Sequence, residues 1–309
     1  MSLQRSDRIV GGRERHVAAR SRSDQAPEWR NGVADVFVEV DGARVHLLRA
    51  GFGPPLVMIH GLVGSAVNWR RNIGPLSTVA SVYAIDLVNM GKSQRVAGLD
   101  PGLAATAERV AACMDALGIA QADIAGHSHG GSVAMMLAVG HPERVRSLIL
   151  FAPANAFCSL GTYLVRFYNT AVGRFVAHLV PKMPRWIHSF ALKRMYGDAS
   201  RVTPDTVEGY SEGLRVPGTI PHILGILAMW FPDMKRLRDL LPAIASVPTL
   251  LVWGDKDRAV GLESGRELAR LMPGAKLQII EGAGHVTFDE RPEECNAVML
   301  EWLAAMDGA

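Results

Sequence analysis

Residues 122–141, ADIAGHSHGGSVAMMLAVGH, set an apolar run of strand character directly against an apolar run of helical spacing. The join is Gly126-His127-Ser128-His129-Gly130. A strand that enters a helix through so short a turn forces its central residue into a strained backbone conformation. Residues two positions to either side must be tiny, or they collide with the neighbouring strand and helix. Glycines stand at both positions. The run therefore predicts a strand–turn–helix unit with the Ser128 hydroxyl presented at the C-terminal edge of a parallel sheet, where open α/β sheets place their ligands.

The rest of the chain keeps the same rhythm. VADVFVEV and ARVHLLRA flank Asp41-Gly42, a strong hairpin signal. Short apolar runs at 54–61, 81–87, 146–154, 247–254 and 275–282 read as further strands, and 103–117 and 292–306 have helical spacing. Such alternation predicts an α/β fold with a mostly parallel eight-stranded sheet flanked by helices. Residues 155–241 interrupt it. They hold no convincing strand but 11 of the 20 aromatic residues, and Pro181, Pro184, Pro204, Pro217, Pro221 and Pro232 are expected to cut them into short helices. The expected organisation is a basic, disordered tail over 1–31, a core over 32–154 and 242–309, and a helical cap inserted at 155–241.

Charge narrows the partners. The formal net charge of +3 lies entirely in residues 1–31, which carry seven arginines against four acids. The remainder is balanced, so a nucleic-acid-binding body is not indicated. No apolar run has the length of a secretory signal or of a membrane span. Cys113, Cys158 and Cys295 are odd in number and lack disulfide or zinc spacing, which makes the cytoplasm the default compartment.

A serine nucleophile at 128 needs a base and a group to orient that base. VWGDKDRAV (252–260) puts carboxylates just past a strand end, and EGAGHVTFDE (281–290) puts His285 in a glycine-rich loop after the last strand. His127 and His129 leave the turn in other directions, so neither easily faces the serine oxygen. As a metal pair they lack completing ligands. His129 is expected to contribute through its backbone N–H, aimed at a developing oxyanion. The GKS of DLVNMGKS (86–93) is not a phosphate loop, because Asp86 stands where that motif needs glycine.

With HGLVGS (60–65), WGDKD (253–257) and GAGH (282–285), the chain from about 32 to 306 resembles the α/β-hydrolases with a helical cap. The resemblance implies Ser128 as nucleophile, His285 as base and Asp257 as acid, with Asp255 as the alternative. It implies Leu62 and His129 N–H groups as the oxyanion hole, and no metal or redox cofactor. One departure is Asn89-Met90 inside the loop after the fourth strand. Serine at the elbow sets the chain apart from the dehalogenases and epoxide hydrolases of the family, which use aspartate there.

The expected activity is cleavage of a small-molecule carboxylic ester through an acyl-enzyme, with apolar acyl or aromatic substrates favoured. Candidate pocket residues are Trp69, Phe157, Tyr163, Phe167, Trp186, Trp230, Val260 and Val286, with Met183, Met195 and Met229 in the same cap. Lys182, Arg185, Lys193 and Arg194 read as a solvated helix face, with contact to an anionic membrane or substrate as the alternative. Two competing functions are hydrolysis of a carbon–carbon bond in a meta-cleavage product, with Arg70 and Arg71 as candidate acid-binding groups, and a non-catalytic binding protein on the same fold. Thioesters and lactones are further substrate classes.

Overall fold

The computed structural model describes residues 27–158 and 161–308; the expected tail over 1–31 falls outside them up to residue 26. Eight strands form one sheet: β1 (Ala34–Val40), β2 (Ala43–Ala50), β3 (Pro55–Ile59), β4 (Ser81–Ile85), β5 (Ala122–His127), β6 (Val145–Phe151), β7 (Thr249–Gly254) and β8 (Ala275–Ile280). Their order is β1-β2-β4-β3-β5-β6-β7-β8. β2 runs antiparallel to β1 and β4, and every pair from β4–β3 to β7–β8 is parallel. Asp41 and Gly42 both have positive φ, 50° and 76°, closing the β1–β2 hairpin in two residues as a mirror-image turn does.

Helices cover both faces. Leu47, Val57, Ile59, Ile124 and Leu148 pack under α2 (Leu103–Ala116) and α3 (His129–Gly140), naming helices in chain order after α1 (Arg70–Leu76). Leu48, Leu56, Met58, Ala125 and Ile149 face the other way, against Trp69, Ile73 and Leu303. The central strands are therefore apolar on both sides, which is why they read as continuous runs.

Between β6 and β7 lie α4 (Thr162–Tyr168), α5 (Ala171–Leu179), α6 (Arg185–Lys193), α7 (Pro204–Ser211) and α8 (Thr219–Leu240). The expectation that proline would cut this region everywhere is corrected at α8. This helix runs 22 residues with Pro232 inside it. Pro221 stands in its first turn, where a missing N–H has no partner to lose. Pro232 removes a bond to the Ala228 carbonyl, and both residues are exposed, so water can take that place. After β7 come α9 (Leu262–Leu271), α10 (Thr287–Glu290) and α11 (Pro292–Asp307). No single described helix is long and apolar enough to cross a membrane.

Candidate active site

Ser128 sits between β5 and α3 with φ 52° and ψ −120°, a conformation that costs on the order of 1–3 kcal/mol for a residue with a side chain. The turn is held by the Ser128 N–H, which donates to the Phe151 carbonyl at 2.9 Å, and by the Ser128 carbonyl, which accepts the N–H of Ala154 at 2.9 Å. The flanking glycines are required by contact. A β-carbon on Gly126 would meet the Gly130 carbonyl oxygen at 2.5 Å, and one on Gly130 would meet the Ile59 oxygen at 2.5 Å.

Asp257 follows β7 and is buried, with Oδ1 accepting the N–H groups of Ala259 and Val260 at 2.7 and 2.9 Å. Its Oδ2 faces His285 Nδ1 at 2.8 Å. Asp255 is exposed and accepts the Gly282 N–H at 2.6 Å, shaping the loop rather than meeting the imidazole. His285 follows β8; its own N–H donates to the Met195 carbonyl at 2.6 Å, and its carbonyl accepts from His127 Nε2 at 3.1 Å. Burial, and then the neighbouring His285, hold the His127 imidazole well below the ordinary histidine range, so it is a neutral packing partner.

No acceptor among the described residues takes the N–H of Leu62 or of His129. The loop carrying Leu62 is fixed by His60. Its Nε2 accepts the Leu87 N–H at 3.1 Å, leaving Nδ1–H to donate to the Gly61 carbonyl at 2.8 Å. Burial favours that neutral form. Asp86 holds the loop that departs from the family pattern, accepting the N–H groups of Ala66 and Lys92 at 2.6 and 2.7 Å. Asn89 takes positive φ there and pairs with both backbone groups of Val96.

Ser128, His285 and Leu62 open on one cavity of about 490 Å³. Its walls are Gly61–Gly64, Val176, Val180, Met183, Ile187, Ala191, Leu192, Met195, Val207 and Leu214, with Tyr168, His188 and Tyr210 as polar-tipped members. Of the residues expected at the pocket from sequence, Val286, Met183 and Met195 line this cavity. The others lie elsewhere. Trp69 is buried beneath the site, stacked on Phe288 at 4.2 Å between ring centroids. Val260 packs on Trp253, Phe157 and Trp230 pack against the core, and Tyr163, Phe167 and Trp186 face outward. Arg70 is buried and hydrogen-bonds Thr206, and both Arg70 and Arg71 pair with Asp289, so neither offers a free cation to the cavity.

Glu290 was not singled out from sequence. It is fully buried, and its carboxylate accepts the N–H groups of Gly284, Gly197 and Asp198 at 2.7, 3.0 and 2.7 Å. The one available signal is its position five residues after His285.

An eight-stranded, mostly parallel sheet with a strained serine at a β–α elbow, facing a cavity shared with a carboxylate-paired histidine, defines a hydrolase class. Residues 54–292 match the alpha/beta hydrolase fold family, and the chain belongs to that family. It is 32% identical to the dihydrolipoyllysine-residue acetyltransferase component of the acetoin cleaving system of Pseudomonas putida, over 96% of this chain and 75% of that protein. It is 30% identical to the 2-hydroxymuconate semialdehyde hydrolase of Pseudomonas sp. strain CF600, over 87% of this chain and 93% of that one. The crystal structure of a membrane phospholipase A, a bacterial virulence factor, is similar with TM-score 0.76 and 27% identity, covering 91% of this chain and 89% of that one.

Proposed function

We propose that the chain is a serine hydrolase of carboxylic esters with apolar acyl groups. The carrying observation is the cavity at Ser128: no Lys, Arg, Asp or Glu is among the described residues that line it. Such a site matches an uncharged acyl chain and disfavours an anionic one.

Ser128 Oγ attacks the ester carbonyl carbon while His285 Nε2 takes its proton. Asp257 keeps Nδ1–H in place and balances the imidazolium that forms. The N–H groups of Leu62 and His129 receive the oxyanion. Collapse of the tetrahedral intermediate breaks the C–O bond, and the imidazolium protonates the departing alkoxide. Water, losing a proton to His285, then attacks the acyl-enzyme and releases the acid.

The likeness to a protein named a phospholipase A supports ester cleavage. The relative named 2-hydroxymuconate semialdehyde hydrolase favours a second reading, cleavage of a carbon–carbon bond in an acidic dienoate. The pairing of Arg70 and Arg71 with Asp289 weighs against it. The test is a panel of p-nitrophenyl esters from acetate to dodecanoate beside a meta-cleavage dienoate, with wild type and Ser128→Ala. We expect ester hydrolysis that falls about 10⁶-fold in the variant. Preference for the dienoate over every ester would reverse the assignment.

A further inference from the structure

Seven large apolar side chains among the described residues are more than half exposed, and six of them stand on α4, α5 and α6. They are Tyr163 (76%), Leu164, Val172, Phe175 (66%), Trp186 (70%) and Phe190. Val172 and Phe175 are three residues apart and Trp186 and Phe190 four apart, so each pair forms an outward stripe on its helix. The neighbouring faces of the same helices line the cavity, through Val176 on α5 and Ile187 and Ala191 on α6. These helices are thus apolar toward solvent and toward the site, with a wall one helix thick between. α4 packs on α5, and α6 is tied to the turn after α5 by His188 Nε2 on the Val180 carbonyl at 2.9 Å. A soluble helix normally turns a polar face to water, and outward apolar stripes on neighbouring helices mark an interaction site.

Charge identifies the partner. Residues 161–202 carry seven lysines and arginines against the single acid Asp198, although residues 32–309 as a whole are balanced. Arg174, Lys182, Lys193 and Arg194 are exposed and make no ion pair among the described residues. Exposed aromatic and aliphatic side chains interspersed with unpaired basic ones are the composition that inserts at an anionic lipid interface. A second copy of the chain would bring the same positive surplus to the contact, and the arginine-rich first 26 residues share its sign. Both are disfavoured as covers.

We propose that the outer face of α4–α6 docks on an anionic lipid bilayer. Docked in this way, the face lies against acyl chains while the cavity lies directly behind it. Delivery of a lipid ester to Ser128 rests on the hydrolase reading above, whereas the docking itself does not.

The experiment is co-sedimentation of the full chain with vesicles of phosphatidylcholine alone and of equimolar phosphatidylcholine and phosphatidylglycerol. Wild type is expected to bind the anionic vesicles at least about tenfold more tightly than the neutral ones. Phe175→Ser/Trp186→Ser should lose about tenfold or more of that binding with an unchanged circular dichroism spectrum. If that variant does not fold, Lys193→Glu/Arg194→Glu replaces it with the same expected loss. Ser128→Ala should bind as wild type does, so a protein that binds vesicles but cleaves no ester keeps the docking and loses only the hydrolase reading. No binding to anionic vesicles, or equal binding by wild type and the folded variant, overturns the proposal. So does a wild-type dimer that ignores vesicles and dissociates in the variant, which would make a second copy the occupant.

Discussion

The backbone N–H of His285 donates to the carbonyl of Met195 at 2.6 Å, tying the imidazole-bearing loop to the start of the segment that follows α6. Glu290 completes the tie by accepting from Gly284 on one side and from Gly197 and Asp198 on the other. Glutamine at 290 keeps the shape but turns an NH2 group toward backbone donors. We expect Glu290→Gln to lower unfolding free energy by about 3 kcal/mol in urea melts. We also expect kcat to fall by about tenfold or more with KM less affected, because the base is misplaced. Unchanged values for both would remove Glu290 from the positioning of His285.

The positive φ of Ser128 separates two variants that both lack the hydroxyl. Alanine retains the strain and glycine relieves it, although glycine also gains freedom in the unfolded chain. Ser128→Gly should therefore be about 1 kcal/mol more stable than Ser128→Ala in parallel thermal melts. An alanine variant of equal or greater stability would show that the elbow stores no strain.

Two glycines of α3 should respond in opposite senses to alanine. At Gly130 the new methyl meets the backbone oxygens of His60 and Ile59, whereas at Gly140 its nearest neighbour is Glu108 Oε1 at 3.5 Å. Gly130→Ala should destabilise by about 3 kcal/mol or more, and Gly140→Ala should stabilise by about 0.5–1 kcal/mol. Denaturant midpoints for the two proteins decide the matter.

Buried histidines set an acid limit on stability. Burial, with His60 and His222 nearby, pushes His129 down to about 3; burial, with Arg109 and Arg95 nearby, pushes His222 down to about 4. In the unfolded chain each binds a proton near the ordinary value of about 6.5. Between that value and the depressed one, the unfolded state holds the extra proton, so stability falls as pH falls through this window. His222→Asn removes one such proton. Between pH 7 and 5 it should lose about 2 kcal/mol less than wild type in urea titrations. Equal losses would mean that His222 is charged within the fold.

Val176 lines the cavity from α5. Tryptophan there fills part of the space, so Val176→Trp should cut kcat/KM for dodecanoate esters about tenfold or more while sparing acetate. A uniform loss across chain lengths would place the acyl chain elsewhere.

The sheet was legible because its central strands are apolar on both faces and end in glycine or proline, as at Leu56–Gly61 and Leu250–Gly254. The pairing of Asp257 with His285, and the cavity that His285 shares with Ser128, were legible because each residue follows a strand at the same edge. Which side of a helix an aromatic residue faces was not. Trp186 turns outward and Trp69 inward, and the cavity wall is built from Val, Ile, Met and Leu, whose types are equally at home in a core. Glu290 was hidden for a different reason. Its partners Gly197 and Asp198 lie more than 90 residues away, and its spacing from His285 is the one local mark that sets it apart from an acid at the start of a helix.

The junction at 195–198 also constrains how a scaffold of this kind can diversify. Exchanging everything between β6 and β7 for a foreign segment would discard the acceptor for the His285 amide and two of the donors that hydrogen-bond Glu290. Recombination of whole insertions would thus displace the loop carrying His285 unless the incoming piece reproduced those three backbone positions. Drift in the side chains of α5 and α6 carries no such penalty, and it is the less costly path to a new substrate range.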